Sequence, residues 1–569
     1  MTRTLLLFSA LLISAGLVCA SAQNQTVPAD VIYYHGNILT GVDLESAHPQ
    51  RVSAIAVLTG LVMASGSDAD VKKWEGPSTR MIDLGGAFVM PGFNDAHAHL
   101  GDAGRIELSV DVTGVKSLAE MQQRVRIAAK AAAPAAWLTG GGWDHTLWAS
   151  KTLPTRADLD AVTKGHPAFL VRVDGHIAIA NSAALSAAGI IKNTPDPQGG
   201  KIDRDANGEA TGIIRETAQA IIDQHIPPPT PELRRRGIEL ALADAVEHGV
   251  TSVQDNSDWE DFLVYIEMKR QDKLPVRISE WLPFNAPMDL LTQHRDFFPQ
   301  DDEMVHTTML KGFMDGSLGS RTAALKVPYS DDPGNSGIPR YDQQKLNAMA
   351  IERAQAGFQM GFHAIGDRAV SMALDAFAAA ENAYVPQATH GHPDARNRIE
   401  HSQVVDPADF ARYKQLGVIA SMQPNHLLTD MSWAEQRLGP ERAKYAYAWK
   451  SFLNAGVPLA FGTDYPVEPI TPFRGVYSAV TRMNEAGTQT YHPEEKLTIW
   501  QAIYAYTQGS AYAEFAEKTK GKLTNGYFAD FVVLDRDITA VPPPEILKTR
   551  VLRTVVNGET MYAANIKAR

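Results

Sequence analysis

The stretch 86-GAFVMPGFNDAHAHL-100 decides how this chain is read. An apolar run passes through Pro91-Gly92 and ends in His97 and His99, two positions apart. On an extended strand, residues i and i+2 point to the same side, so both imidazoles can converge on one point. That geometry suits a metal ion, although a strand can also carry two histidines for packing or hydrogen bonding.

Outward from this stretch, one local phrase recurs four times after residue 240: 241-ALADAVEHGVTSVQD-255, 352-ERAQAGFQMGFHAIGD-367, 411-ARYKQLGVIASMQPN-425 and 451-SFLNAGVPLAFGTD-464. Each begins with helix formers, reaches a glycine suited to a helix C-terminus, and enters an apolar, β-branched run. This alternation predicts parallel βα units. Three further strands are expected at 275–282, 308–315 and 397–404, and the opening strand at 86–95 makes eight. Eight parallel strands with polar C-terminal ends describe an α/β fold, the TIM (β/α)8 barrel, whose chemistry sits at that face. The expected strand ends are His97/His99, Asp255, Glu280, Lys311, His363, His401, Gln423 and Asp464. A doubly wound open sheet is the alternative, because strand periodicity does not reveal closure.

The stretch between the first strand and the next βα unit is too long for a loop. Residues 105–230 are therefore expected to form an inserted α+β domain over the barrel mouth, after a first barrel strand in 86–104 and before the remaining barrel in 231–515. The prolines of 226-IPPPTPE-232 mark its exit, with Thr230 as helix N-cap and Pro231 at the first helical position. Short β runs punctuated by Gly or Asn-Gly occupy both chain ends, 23–85 and 516–569, and are expected to pair as a small β-sandwich.

Residues 1–22, MTRTLLLFSALLISAGLVCASA, read as a secretory signal peptide with an Ala-Ser-Ala cleavage site. An uncleaved anchor and lipidation at Cys19 are the alternatives. Export to the periplasm or medium is expected. Cys19 is the only cysteine, so the mature chain has no thiolate to serve as nucleophile or ligand. The formal net charge of -12 argues against general binding to nucleic acid or to a membrane by the mature form. A small-molecule substrate is the expected partner, with a homodimer admitted as the assembly.

In order along the chain, GFNDAHAHL, GGGWDHTLW, VDGHIAIANSAAL, KGFMDGSLGSRTAAL, HAIGDRAV, RIEHSQ, FGTDYPVEP and GKLTNGYFADFVVLD resemble the amidohydrolase superfamily of metal-dependent hydrolases. Within it they are similar to the branch of YtcJ-like proteins and N-substituted formamide deformylases, amidohydrolase family 3. The resemblance implies two divalent metal ions, zinc by expectation. His97, His99 and Asp464 would hold the first, and His363 and His401 the second. Lys311 would bridge them as a carbamate formed with CO2, since an ammonium has no lone pair and repels a dication. An ion pair between Lys311 and Asp315 is the alternative. Water shared by two such ions becomes acidic enough to attack a carbonyl carbon. Asp464 would then act as general base and acid, taking the proton and passing it to the leaving nitrogen.

Four further residues are candidates for binding substrate. Arg321 could pair with a substrate carboxylate or oxyanion, or make a structural ion pair. His176 could reach the mouth from the insert, or belong to the insert's core. Trp143, with Trp148, could wall an apolar pocket or lie in the core. Asp315 enters if Lys311 is unmodified. Gly140, Gly141 and Gly142 lack the ending of a phosphate-binding loop and read as turn residues.

The leading expectation is hydrolysis of a non-peptide C–N bond in an N-substituted formamide, amide or cyclic amide. The same centre could act on an ester, lactone or phosphoester. Deamination is disfavoured because His363-Ala364-Ile365-Gly366 lacks the Glu of related deaminases. A secreted binding protein on a decayed scaffold would be expected to lose ligands, yet all six positions are filled.

Overall fold

The run 86–100 splits between two sheets. In the computed structural model, Phe88–Pro91 pairs antiparallel with Phe531–Leu534, whereas Phe93–Ala98 enters a parallel sheet. The break falls at Gly92, whose N–H donates to Asp530 O while the N–H of Phe93 donates to Gly249 O. A Cβ at Gly92 would lie 2.2 Å from the Thr251 side chain, so only glycine passes there without displacing a neighbour. The single opening strand expected at 86–95 is thus two strands, one for the chain-end sheet and one for the barrel. The structure describes residues 27–46, 48–173, 175–197, 200–383 and 394–565. The expected leader at 1–22 lies outside them.

The barrel strands are β1 (Phe93–Ala98), β2 (Val250–Asp255), β3 (Arg277–Pro283), β4 (Val305–Phe313), β5 (Gln359–Ala364), β6 (Arg398–His401), β7 (Ile419–Met422) and β8 (Leu459–Phe461). They lie side by side in chain order, and every neighbouring pair is parallel. Two backbone bonds of 2.7 Å close the ring: Asp464 N–H to His97 O, and His99 N–H to Tyr465 O. This is the TIM barrel rather than the open sheet. All six residues of β2 are buried, as expected of a parallel strand covered on both faces.

Helices punctuated by glycine precede the strands as the recurring phrase predicts: Gly249, Gly357, Gly417 and Gly456 all have positive φ. Thr230 Oγ1 accepts the N–H of Leu233 at the start of helix Pro231–Glu247, as its sequence predicts. Among the described residues no helix is long and apolar enough to cross a membrane.

Between the barrel's first helix and that helix lies a six-stranded sheet of residues 110–216 with cores of its own. Gly140, Gly141 and Gly142 lie inside its strand Leu138–Trp143, not in a turn. The chain ends contribute a four-stranded and a six-stranded sheet. They share a core in which Tyr33 meets Phe531 edge to face, 4.8 Å between ring centres.

Candidate metal centre

The C-terminal ends of β1, β4, β5, β6 and β8 bring six side chains to one place, those of His97, His99, Lys311, His363, His401 and Asp464. His97 is fully buried, and its Nε2 lies 3.0 Å from Lys311 Nζ and 3.4 Å from Asp464 Oδ1. His99 Nε2 lies 3.1 Å from the same oxygen. The other carboxylate oxygen of Asp464, Oδ2, faces His401 Nδ1 at 4.0 Å and His426 Nε2 at 3.2 Å. Asp464 is therefore the shared member of two groups, His97–His99–Asp464 and His401–His426–Asp464, in each of which the ligating atoms lie within 4.8 Å of one another.

Close packing of the first and last strands sets this geometry. Gly462 stands so near β1 that a Cβ would lie 2.5 Å from His97 N. Behind it, Asp95 accepts the N–H groups of Thr463 (2.9 Å) and His97 (3.1 Å) and the hydroxyl of Thr463 (2.5 Å). Asp464 and His401 both adopt positive φ, +62° and +73°. Non-glycine residues seldom do so, and such conformations cluster at functional sites.

Buried polar partners orient the imidazoles. Glu400 Oε2 lies 2.7 Å from His97 Nδ1, and the Asn256 carbonyl lies 3.0 Å from His99 Nδ1. The Gly316 carbonyl lies 3.1 Å from His363 Nε2, which leaves the other ring nitrogen of His363 for the cluster; its ring centre is 4.5 Å from that of His401. Arg398 is buried beside Glu400 and donates to Ala96 O (2.7 Å), Ser421 Oγ (2.8 Å) and Gln254 Oε1.

Electrostatics favour neutral imidazoles at His97, His363 and His401, whereas at His99 and His426 burial is outweighed by the Asp464 carboxylate, which raises both. Burial, helped by the Lys311 charge, pulls His97 down to about 4 and His363 to about 3. Burial opposes ionisation of Asp464, but His97, His426 and His99 hold it well below the usual range. Burial likewise opposes ionisation of Glu400, yet Arg398 and His97 hold it down to about 2. Burial lowers Lys311 to about 8 against the pull of Glu400 and Asp464.

A divalent cation fits these residues. Asp464 Oδ1, His401 Nδ1 and His426 Nε2 are buried without a hydrogen-bond partner among the described residues. Leaving such an atom unsatisfied costs roughly 1–3 kcal/mol. Imidazole nitrogens converging on carboxylate oxygens form a donor set suited to zinc, which displaces their protons on binding.

The remaining candidates lie elsewhere. Asp315 is buried and accepts the N–H groups of Ala324, Ile365 and Gly366; it nears the cluster only through His363 Nε2, at 3.6 Å. Burial pushes it up to about 7 against those three bonds. It makes no ion pair with Lys311, so that alternative is not what the structure contains. Arg321 is paired with Asp331 at 2.9 Å. His176 is exposed on the insert, 3.0 Å from Glu216. Trp143 is fully buried in the insert's core, donating Nε1–H to Leu170 O at 2.9 Å, with Trp148 beside it. These last three do not meet the cluster. Two residues that do, His426 and Glu400, were not singled out in the sequence. The signals were a histidine in 423-QPNH-426 directly after β7 and a charged pair inside the buried strand 398-RIEH-401.

The model of the amidohydrolase family matches residues 80–562. The putative amidohydrolase YtcJ of Bacillus subtilis is 34% identical over 523 residues, covering 90% of this chain and 96% of that protein. The N-substituted formamide deformylase of Arthrobacter pascens is 27% identical over 553 residues, 94% of this chain and 98% of that protein. Among solved structures, an uncharacterized metal-dependent hydrolase from Pyrococcus furiosus superposes with a TM-score of 0.75 at 32% identity, covering 90% of this chain and 99% of that one.

Proposed function

Because the chain belongs to the amidohydrolase family and is a metal-dependent hydrolase, we propose that it cleaves a non-peptide carbon–nitrogen bond, with N-substituted formamides, simple amides and cyclic amides as its substrate class. One observation carries this reading: Asp464 stands between two sets of imidazoles, Oδ1 toward His99 and Oδ2 toward His426. The relative named as an N-substituted formamide deformylase supports the choice of bond.

A divalent cation bound here, zinc in this proposal, supplies Lewis acidity, acidifying water and polarising a carbonyl oxygen. His97, His99 and Asp464 would hold one ion, and His401 and His363, with His426 beside Asp464, would hold a second. Glu400 keeps the His97 ring oriented, as partners of ligating histidines do. The Asp464 carboxylate accepts a proton from the attacking water and delivers it to the leaving nitrogen, which departs poorly as an anion. Lys311 is proposed to carry CO2: its ammonium first gives up one proton, and the neutral amine nitrogen then bonds the CO2 carbon and loses a second, so that a cation is replaced by a two-oxygen anion. Its burial, and the lack of any carboxylate within ion-pair range among the described residues, support this. Export after cleavage of residues 1–22 is part of the same proposal and rests on sequence alone.

Metal-stripped and zinc-restored protein should be compared for release of formate and amine from an N-substituted formamide and from the matching formate ester. The reading expects zinc-dependent turnover that favours the amide. Turnover indifferent to chelation, or confined to the ester, contradicts it.

A further inference from the structure

Substrate specificity requires groups beside the cluster that are free to meet a ligand. The segment after β4 carries two guanidinium groups, and they stand differently. Arg321 is held by Asp331, which also engages Arg437. Arg340 is exposed and has no carboxylate within ion-pair range among the described residues. Its position is nonetheless fixed at the backbone, where its N–H donates to Met314 O at 2.8 Å, next to the end of β4.

Phe313 links Arg340 to the cluster. On β4, Phe313 and Lys311 are two residues apart and share a face. The half-buried Phe313 ring lies 5.2 Å from Lys311 Nζ and 5.4 Å from the centre of the His363 ring. Arg340 Cζ stands over the same ring at 5.6 Å. The guanidinium is therefore separated from the Lys311 amine by no more than those two distances together, the length of at most roughly nine covalent bonds in an extended chain. Asp315 feels the charge of Arg340, but its oxygens are committed to the N–H groups of Ala324, Ile365 and Gly366. In a chain of formal net charge -12, this is an unpaired cation held beside the reaction site.

We propose that Arg340 forms an anion subsite at the barrel mouth, and that the preferred amide substrates carry a carboxylate on the amine side, laid across Phe313, as in an N-formyl amino acid. The inference rests on the C–N hydrolase reading above. A guanidinium matches a carboxylate in a charge-assisted, two-bond geometry, and exposure of its donors leaves them free to make it. Phe313 supplies an apolar floor for the intervening carbons.

Two substrates of equal length test this on zinc-loaded protein: an N-formyl amino acid and the N-alkylformamide lacking its carboxylate. The wild type is expected to favour the acid in kcat/KM. Arg340→Ala should raise KM for the acid about ten- to a hundredfold, the worth of a charge-assisted hydrogen bond, and leave the neutral formamide within about twofold. Arg340→Lys should recover part of the loss. Because Arg340 is exposed, thermal melting of the variants should match the wild type. Equal loss on both substrates, or none on the acid, overturns the subsite and leaves the hydrolase reading standing. Failure of the wild type on both formamides overturns both.

Discussion

The backbone N–H of Asp464 donates to the carbonyl of His97 over 2.7 Å, so one of the two bonds that close the barrel joins residues whose side chains meet in the metal centre. Fold and chemistry are coupled at this contact. Closure fixes where Asp464 stands, and Asp464 is the residue both groups of ligating atoms share.

Asp464→Asn keeps the side chain's size and the backbone bond while removing the charge and the proton-accepting oxygen. Turnover should fall by about two to four orders of magnitude, the usual worth of a positioned acid–base group. Circular dichroism and the melting curve should stay near wild type. Retention of the wild-type rate would remove Asp464 from proton transfer.

Glu400→Gln acts one step behind the cluster. The Glu400 contact with His97 orients the ring, and losing its charge should weaken zinc binding about ten- to a hundredfold in a competition titration. The variant should also lose stability, about 3 kcal/mol by denaturant unfolding, because Arg398 keeps its buried charge without its carboxylate. Unchanged zinc affinity would assign Glu400 a purely structural part.

His426→Ala probes the second group. The imidazole nitrogen lies 3.2 Å from Asp464 Oδ2 without the alignment of a hydrogen bond, a spacing that two ligands of one cation share. Metal analysis after dialysis should show zinc content falling from two equivalents toward one. Two equivalents of unchanged affinity would make His426 a neighbour rather than a ligand.

Acid sensitivity is expected where the two chain ends meet. Burial opposes ionisation of Asp537, but hydrogen bonds from Thr539 and Arg51 depress its folded-state pKa. A depressed carboxyl contributes stability that is full above its unfolded value, about 3.9, and is lost as pH falls through the folded value. Asp537→Asn should therefore melt below wild type near pH 6, and the gap should narrow on acidification below about pH 4. A gap that widens in acid would reverse the assigned sign.

The barrel was legible because parallel strands buried on both faces read as apolar runs, and because glycines such as Gly249 and Gly357 close the preceding helices. The division at Gly92 was not legible. Residues 88–91 and 93–98 are both extended and equally buried, and the close contact of Gly92 with Thr251, where their partners change, is visible only in the fold. All six expected metal-site residues lie at or just beyond strand ends, where position along a strand implies position in space. His426 escaped because it lies on the short helix Asn425–Asp430, whose orientation depends on how the loop after β7 folds back. Trp143, His176 and Arg321 were ambiguous for the same reason: residue type admits both a core or surface role and a binding role, and only packing decides.

An anomalous difference map recorded at the zinc edge from zinc-loaded crystals tests the central claim most directly. The account predicts two peaks flanking the Asp464 carboxylate, one about 2.0–2.1 Å from His97 Nε2 and His99 Nε2 and the other at similar distance from a nitrogen of His401. Catalytically competent crystals with no anomalous density between these side chains would contradict it.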